Sequence, residues 1–198
     1  MPVSINGNTG VITGIAVGGL PDGIVDGDML ASGVGGKTLQ VVQVIKKDVQ
    51  SHTGTSFVDI SNFNPSITPT GTNSKILLDI CIQGSSNGSG ALNVYRSIGG
   101  GSYAQLTDFI GDQHANSSNA IRTTMSAGGQ DVDSFESFAM KILDTPSYSS
   151  GQAVAYKIQI GSPYHSTYIW YINRSAYLSN LSYDRSVIST FTLTEVAA

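Results

Sequence analysis

The residues best typed for chemistry stand at positions 31–38, Ala-Ser-Gly-Val-Gly-Gly-Lys-Thr. The run nearly fits the phosphate-binding loop G-x-x-x-x-G-K-[ST], with Ala31 where the first glycine belongs. In such a loop backbone N–H groups cradle phosphates, Lys37 reaches the terminal phosphates and the Thr38 hydroxyl holds magnesium. Ile76-Leu77-Leu78-Asp79 mimics the apolar strand that ends in a metal-holding aspartate. The chemistry also requires a buried strand before the loop and a helix after it. Residues 22–28 are instead rich in turn formers, and Leu39-Gln40-Val41-Val42-Gln43-Val44-Ile45 favours a strand. The expectation is a glycine hinge feeding a strand, with no nucleotide and no cofactor.

Other reactive sets are weaker still. His52, His114 and His165 are scattered, with no H-x-H or H-x-x-x-H pair to suggest a metal. Residues 84–88, Gly-Ser-Ser-Asn-Gly, match the nucleophile-elbow pattern but join two predicted strands with no helix following. The single cysteine, Cys81, alternates within a predicted strand and reads as a small, partly buried side chain. One cysteine allows no intrachain disulfide and no thiolate zinc site. Asp131, Asp133 and Glu136 form an acidic cluster whose glycosidase reading depends on a carboxylate separation that sequence does not give. No catalytic, cofactor or metal residue is therefore expected, and the chain reads as a non-enzyme.

The aromatic residues point elsewhere. Tyr164, Tyr168, Trp170, Tyr171, Tyr177 and Tyr183 crowd the last third of the chain. Tyrosine and tryptophan offer flat amphipathic surfaces suited to sugars and to protein partners. Alternation assigns Tyr168 and Trp170 to a strand with Ile172. Tyr164, Tyr177 and Tyr183 fall in loops, with His165 beside the first. These four, Tyr164, His165, Tyr177 and Tyr183, are the candidate contact residues.

The elements that must position them read as strands. Ile76, Leu78, Ile80 and Ile82 alternate with polar residues. So do Leu92 and Val94, Val154 to Ile160, and Phe191 to Glu195 against Thr190, Thr192 and Thr194. Residues 38–48 are rich in Val and Ile and read as a strand. Residues 135–143 fit helical and strand spacing equally, and their neighbours favour strand. Residues 111–130 read as a long polar loop. Eight to ten short strands bounded by Gly, Ser and Asn predict an all-β antiparallel sandwich, jelly-roll-like, over residues 37–198.

Residues 1–36 differ. Glycine recurs every few positions, and the few large apolar residues include Ile5, Ile12, Ile15, Leu20, Ile24 and Leu30. Such a segment has no core of its own and reads as an extended arm that must lie along another surface. A short helix near residues 26–31, capped by Asp26, is expected within it. Over the 198 residues the charged fraction is 12% and the net charge −4. No basic field attracts nucleic acid. No apolar run approaches the ~20 residues that cross a bilayer, and no secretory signal is visible, so folding in a cytosol is expected.

The arm carries a resemblance. Residues 5–14, Ile-Asn-Gly-Asn-Thr-Gly-Val-Ile-Thr-Gly, and residues 18–23, Gly-Gly-Leu-Pro-Asp-Gly, resemble the arms of bacteriophage tail-fibre and virion structural proteins, notably of marine phages. Leu39-Gln40-Val41-Val42-Gln43-Val44 resembles the start of their C-terminal β-domain. Ser74-Lys75-Ile76-Leu77, Tyr156-Lys157, Ile172-Asn173-Arg174-Ser175 and the closing residues 192–198 fit the same pattern. The resemblance implies a non-enzymatic virion protein, commonly a homotrimer, assembled in the bacterial cytoplasm. Its arm would grip other virion proteins of tail or capsid, and its β-domain would face outward toward a host-surface glycan. The alternative within that family is a head fibre or capsid decoration protein without receptor binding. An enzyme (glycan depolymerase or nucleotide hydrolase) and a cellular lectin-like module are the remaining readings.

Overall fold

The computed structural model describes residues 4–6, 11–13, 38–128, 135–176 and 184–198. Its contacts divide the chain into two units, Met1–Gly36 and Lys37–Ala198. In the first unit, β1 (Ser4–Asn6) pairs antiparallel with β2 (Val11–Thr13), setting Ile5 opposite Ile12. The expected helix near Asp26, and Ile15, Leu20, Ile24 and Leu30, lie outside the described residues.

The second unit is all-β. Its strands are β3 (Thr38–Lys46), β4 (Gln50–Thr53), β5 (Val58–Asp59), β6 (Ser66–Ile67), β7 (Lys75–Ser86), β8 (Ser89–Ile98) and β9 (Ala104–Gln105). They continue as β10 (Met125–Gly128), β11 (Glu136–Asp144), β12 (Val154–Gly161), β13 (Ile169–Ile172) and β14 (Ser189–Val196). The ambiguous segment at 135–143 is a strand. The expected loop at 111–130 is shorter than it reads, because Met125–Gly128 pairs with β8 and sets Met125 opposite Leu92.

Several strands are pieces of one line. β3 and β4 run in succession against β14 and β13, and both of these run against β7. β5 and β6 both pair with β12, and β9 and β10 both pair with β8. Counted as lines there are eight among the described residues. The first sheet holds the first, eighth, third and sixth; the second holds the second, seventh, fourth and fifth. All pairings are antiparallel, and this is the strand order of a jelly roll.

Alternation explains what each sheet buries. Along β7, Ile76, Leu78, Ile80 and Ile82 are fully buried, while Leu77, Asp79, Cys81 and Gln83 on the other face are half-buried. Phe138, Ile142, Trp170, Ile172, Phe191 and Leu193 join them. Leu92, Val94, Val154, Tyr156, Ile158 and Ile160 face them from the second sheet. Each such side chain contributes about 1.5–3 kcal/mol on leaving water.

The break between β13 and β14 has a specific clamp. Asn173 adopts φ 62°, a left-handed conformation that asparagine tolerates better than most residues. This turns the chain out of the sheet. Its buried side-chain amide donates to the carbonyls of Lys46 (2.9 Å) and Asp48 (3.1 Å), at the matching break between β3 and β4. Its Oδ1 accepts from the Ser189 hydroxyl (2.6 Å), where β14 begins. One residue thus satisfies both interruptions at the same height of the sheet. Asn173→Ala should lower stability by about 2 kcal/mol, since it leaves buried partners without a bond. A denaturant titration checks this.

Candidate functional site

Three connections meet at one end of the sandwich: residues 54–56, the β7–β8 turn at Asn87-Gly88, and residues 162–168 before β13. Their backbones are stitched together. Gly54 N donates to Tyr168 O (3.2 Å), Ser162 N donates to Gly54 O (3.1 Å), and Ile169 N donates to Asn87 Oδ1 (2.7 Å). The turn needs glycine, because a Cβ at Gly88 would fall 2.5 Å from the Tyr168 ring. That close approach seats Tyr168 on the turn.

The seated ring is a platform. The His165 imidazole stacks on it at 4.8 Å between centroids and 22° between planes, and its Nδ1 hydrogen-bonds the Thr167 hydroxyl at 2.9 Å. Tyr164 stands next in the chain and is 56% exposed, far more than a tyrosine that serves the core. The result is a tyrosine ring and an imidazole ring presented at a loop end whose backbone is hydrogen-bonded to the two neighbouring connections. Such surfaces suit the apolar face of a sugar ring or a flat protein partner. Tyr177 and Tyr183 lie outside the described residues.

A second polar and aromatic cluster lies on the outer face of the second sheet. Pairing sets Lys157 opposite Tyr95 and Gln159 opposite Asp59. The Lys157 ammonium sits 4.7 Å from the Tyr103 ring centre and 5.6 Å from that of Tyr95, within cation–π range. It also pairs with Asp59 at 2.8 Å, and Gln159 Nε2 donates to the same carboxylate at 2.7 Å. Burial pushes Asp59 upward, but the bonds from Lys157 and Gln159 outweigh it and hold the carboxyl below its usual range. Beside it opens a cleft of about 190 Å³, lined also by Asn62, Asn64 and Tyr103. Sequence reading missed this cluster. Each residue was a polar position in an alternating strand or a loop residue, and only the register brings them together.

The remaining candidates are placed as follows. Thr38 opens β3, so a strand follows the phosphate-loop-like run where that chemistry needs a helix; Lys37 lies outside the described residues. Asp131 and Asp133 also lie outside them, and Glu136 begins β11 half-buried. Residues 84–88 are the end of β7 and its turn, and the Ser86 hydroxyl donates to Gly88 O at 2.7 Å. His52 Nε2 donates to Ser56 O at 2.7 Å, and His114 is exposed in the excursion between β9 and β10. Among the described residues no group of three histidine, cysteine or acidic side chains could hold a metal ion. No helix among them is long and apolar enough to cross a membrane.

The strongly held carboxylates tie segments of the fold together. Asp48 takes a 2.6 Å bond from Lys46 Nζ, which holds its carboxyl below the usual range. Asp144 takes both a 2.7 Å bond from Arg96 and one of 2.7 Å from the Tyr156 hydroxyl. Burial, and next the Asp144 charge, push the Tyr156 phenol well above its ordinary value. Glu195 is fully buried and accepts from Gln40 and from the backbone N–H groups of Thr70 and Gly71. Neither a protein-family model nor a curated protein sequence matches the chain.

Proposed function

We propose that this is a non-enzymatic virion structural protein, tail-fibre-like, which attaches through residues 1–36 and presents its sandwich to the host surface. One observation carries the reading: Asp48, Asp59, Asp144 and Glu195 are each tied to structural partners. The end of the sandwich meanwhile offers exposed aromatic rings on a fixed frame. That arrangement supports contact rather than bond-making. The sequence resemblance of the arm supplies the virion setting. The homotrimer, the partner virion proteins and the assembly in a bacterial cytoplasm belong to the same proposal.

The contact is assigned to Tyr164 and His165, and its ligand class is a bacterial surface glycan. The full chain, passed over immobilised bacterial surface polysaccharides, should be retained by at least one and leave its chain length unchanged. Tyr164→Ala should weaken that retention about tenfold, a typical loss for a stacking aromatic. It should leave stability within about 0.5 kcal/mol, because the ring is largely exposed. Retention unaltered by the substitution would remove Tyr164 from the site. Shortened polysaccharide would replace the reading with an enzyme.

A further inference from the structure

The outer face of the first sheet carries exposed apolar side chains at both of its edges, among polar ones. Register builds it in cross-strand rows. Val41, Thr194, Leu77 and Leu143 form one row; Gln43, Thr192, Asp79 and Lys141 the next; Ile45, Thr190, Cys81 and Ala139 the third. Val41 is 58% exposed, Ile45 46% and Leu143 47%. Ile188, 49% exposed, precedes β14 at the parity of Thr190. The second sheet is unlike it, since its outer face carries Asp59, Lys157, Gln159 and Tyr95.

Two further features bear on what covers this face. β3 pairs only with β14 among the described residues, so it is an edge strand. It has no proline and no charge before Lys46, two of the devices that keep edges apart. The charges within the three rows are one of each sign, Asp79 and Lys141, paired at 2.7 Å. These three rows carry no net charge, with Lys75 beyond them in the row of Val196, and can meet their own copy with opposite signs aligned. An acidic or basic partner would find no field to match.

We propose that this face is where copies of the chain meet. The proposal deepens the homotrimer reading above, and rests on it, by naming the contact surface. Four strands about 4.8 Å apart, over seven residues at about 3.4 Å, give roughly 450 Å² in projection. Side-chain relief adds to this, so three such faces closed around one axis remove more in total than the ~1,000 Å² that a specific interface needs. Apolar residues flank both edges, Val41 and Ile45 on β3 and Leu143 on β11, with the threonines of β14 between them. The β3 flank of one copy can therefore pack on the β11 flank of the next.

Cys81 reports on the face, because it is the chain's one cysteine and stands half-buried in the third row. The experiment measures native mass by light scattering together with the rate at which a thiol reagent modifies Cys81, both on the full chain. The wild type should have a mass that is a multiple of 20.7 kDa and a slowly reacting thiol. The double variant Val41→Lys, Ile45→Lys should fall to one chain and react at least tenfold faster, with an unchanged circular dichroism spectrum. Lys157→Ala on the opposite sheet should keep the wild-type mass. A multiple mass that survives the double variant with the thiol rate unchanged would place the contact on another face. That overturns the inference and leaves the proposed function standing. A single-chain wild type, whatever its thiol rate, would also overturn it.

Discussion

Trp170→Ala is expected to remove about 3–5 kcal/mol of stability, more than any other single substitution proposed for this fold. Trp170 is fully buried in β13 and touches both sheets. Its ring meets Phe138 of β11 at 5.3 Å, tilted by 59°. Its indole N–H donates to Gly161 O at the end of β12, 3.2 Å away. It also lies against β8 at Gly90, where a Cβ would come within 2.0 Å of the indole nitrogen. Truncation therefore opens a cavity and leaves a buried carbonyl without its donor. A domain of this kind holds about 5–15 kcal/mol in total, so the variant should lose a large share of its stability. Gly90→Val should be nearly as harmful for the opposite reason, because rigid neighbours cannot yield to the added branches. Denaturant titration followed by tryptophan fluorescence serves for Gly90→Val, and circular dichroism serves for Trp170→Ala. A loss below about 1.5 kcal/mol for the latter would mean that the two sheets are not joined through this ring.

Glu195→Ala should cost about 3 kcal/mol and Glu195→Gln about 2. The carboxylate sits on the Phe191 and Leu193 side of β14, where a charge is costly to bury. Donated hydrogen bonds offset that cost. They come from Gln40 Nε2 (2.7 Å), Thr70 N (2.9 Å), the Thr70 hydroxyl (3.3 Å) and Gly71 N (2.8 Å). These bonds fasten the β6–β7 connection to both β3 and β14. Burial alone would raise the carboxyl, but the Gly71 N–H and its fellow donors more than reverse this and hold it below its ordinary 4.5. The folded value lies under the unfolded one, so the stabilisation is complete above pH ~4.5 and is lost as pH falls through the folded value. The difference between wild type and Glu195→Gln should therefore be constant near neutrality and shrink as the solution is acidified below that point. A difference that grew on acidification would mean that the native protein holds Glu195 protonated.

How much of this was legible in the sequence follows from what alternation can and cannot encode. Ile76 to Ile82, Leu92 and Val94, and Val154 to Ile160 declare their inner faces directly, because a strand exposes every second residue to one side. The all-β sandwich class follows from many such runs with no helix between them, whereas the jelly-roll order comes from the pairings. Alternation also sets Glu195 and Lys46 on the buried side, yet it gives no reason for a charge there. Partners that make it tolerable, Thr70 and Gly71 for Glu195 and Ser61 for Lys46 beside its near neighbour Asp48, come in large part from distant connections. Breaks within a line are equally hidden. Asn173 looks like a turn residue, and nothing in its neighbourhood announces that it bonds Lys46, Asp48 and Ser189 at once.

The candidate site divides the same way. Tyr164 was legible as a loop tyrosine because it follows a Gly-Ser-Pro stop, and it is indeed exposed. The stacking of His165 on Tyr168 depends on Gly88, which arrives from another strand turn. The Tyr95, Tyr103, Lys157 and Asp59 cluster depends wholly on register between three strands and a connection. The exposed apolar side chains on the outer face of the first sheet were present in the sequence as Val41, Ile45 and Leu143. They share a face only once β3 and β11 are known to be opposite edges of one sheet.

Whether the chain is a structural part of a virus particle is decided by antibody labelling of intact particles. Antibody raised against the full chain would be applied to unbroken particles from a culture that carries its gene, with gold detection under the electron microscope. Gold should appear on the outside of the particles, at a fixed location, in repeated copies. Particles free of label, with the chain recovered only from the cells, would contradict the virion assignment.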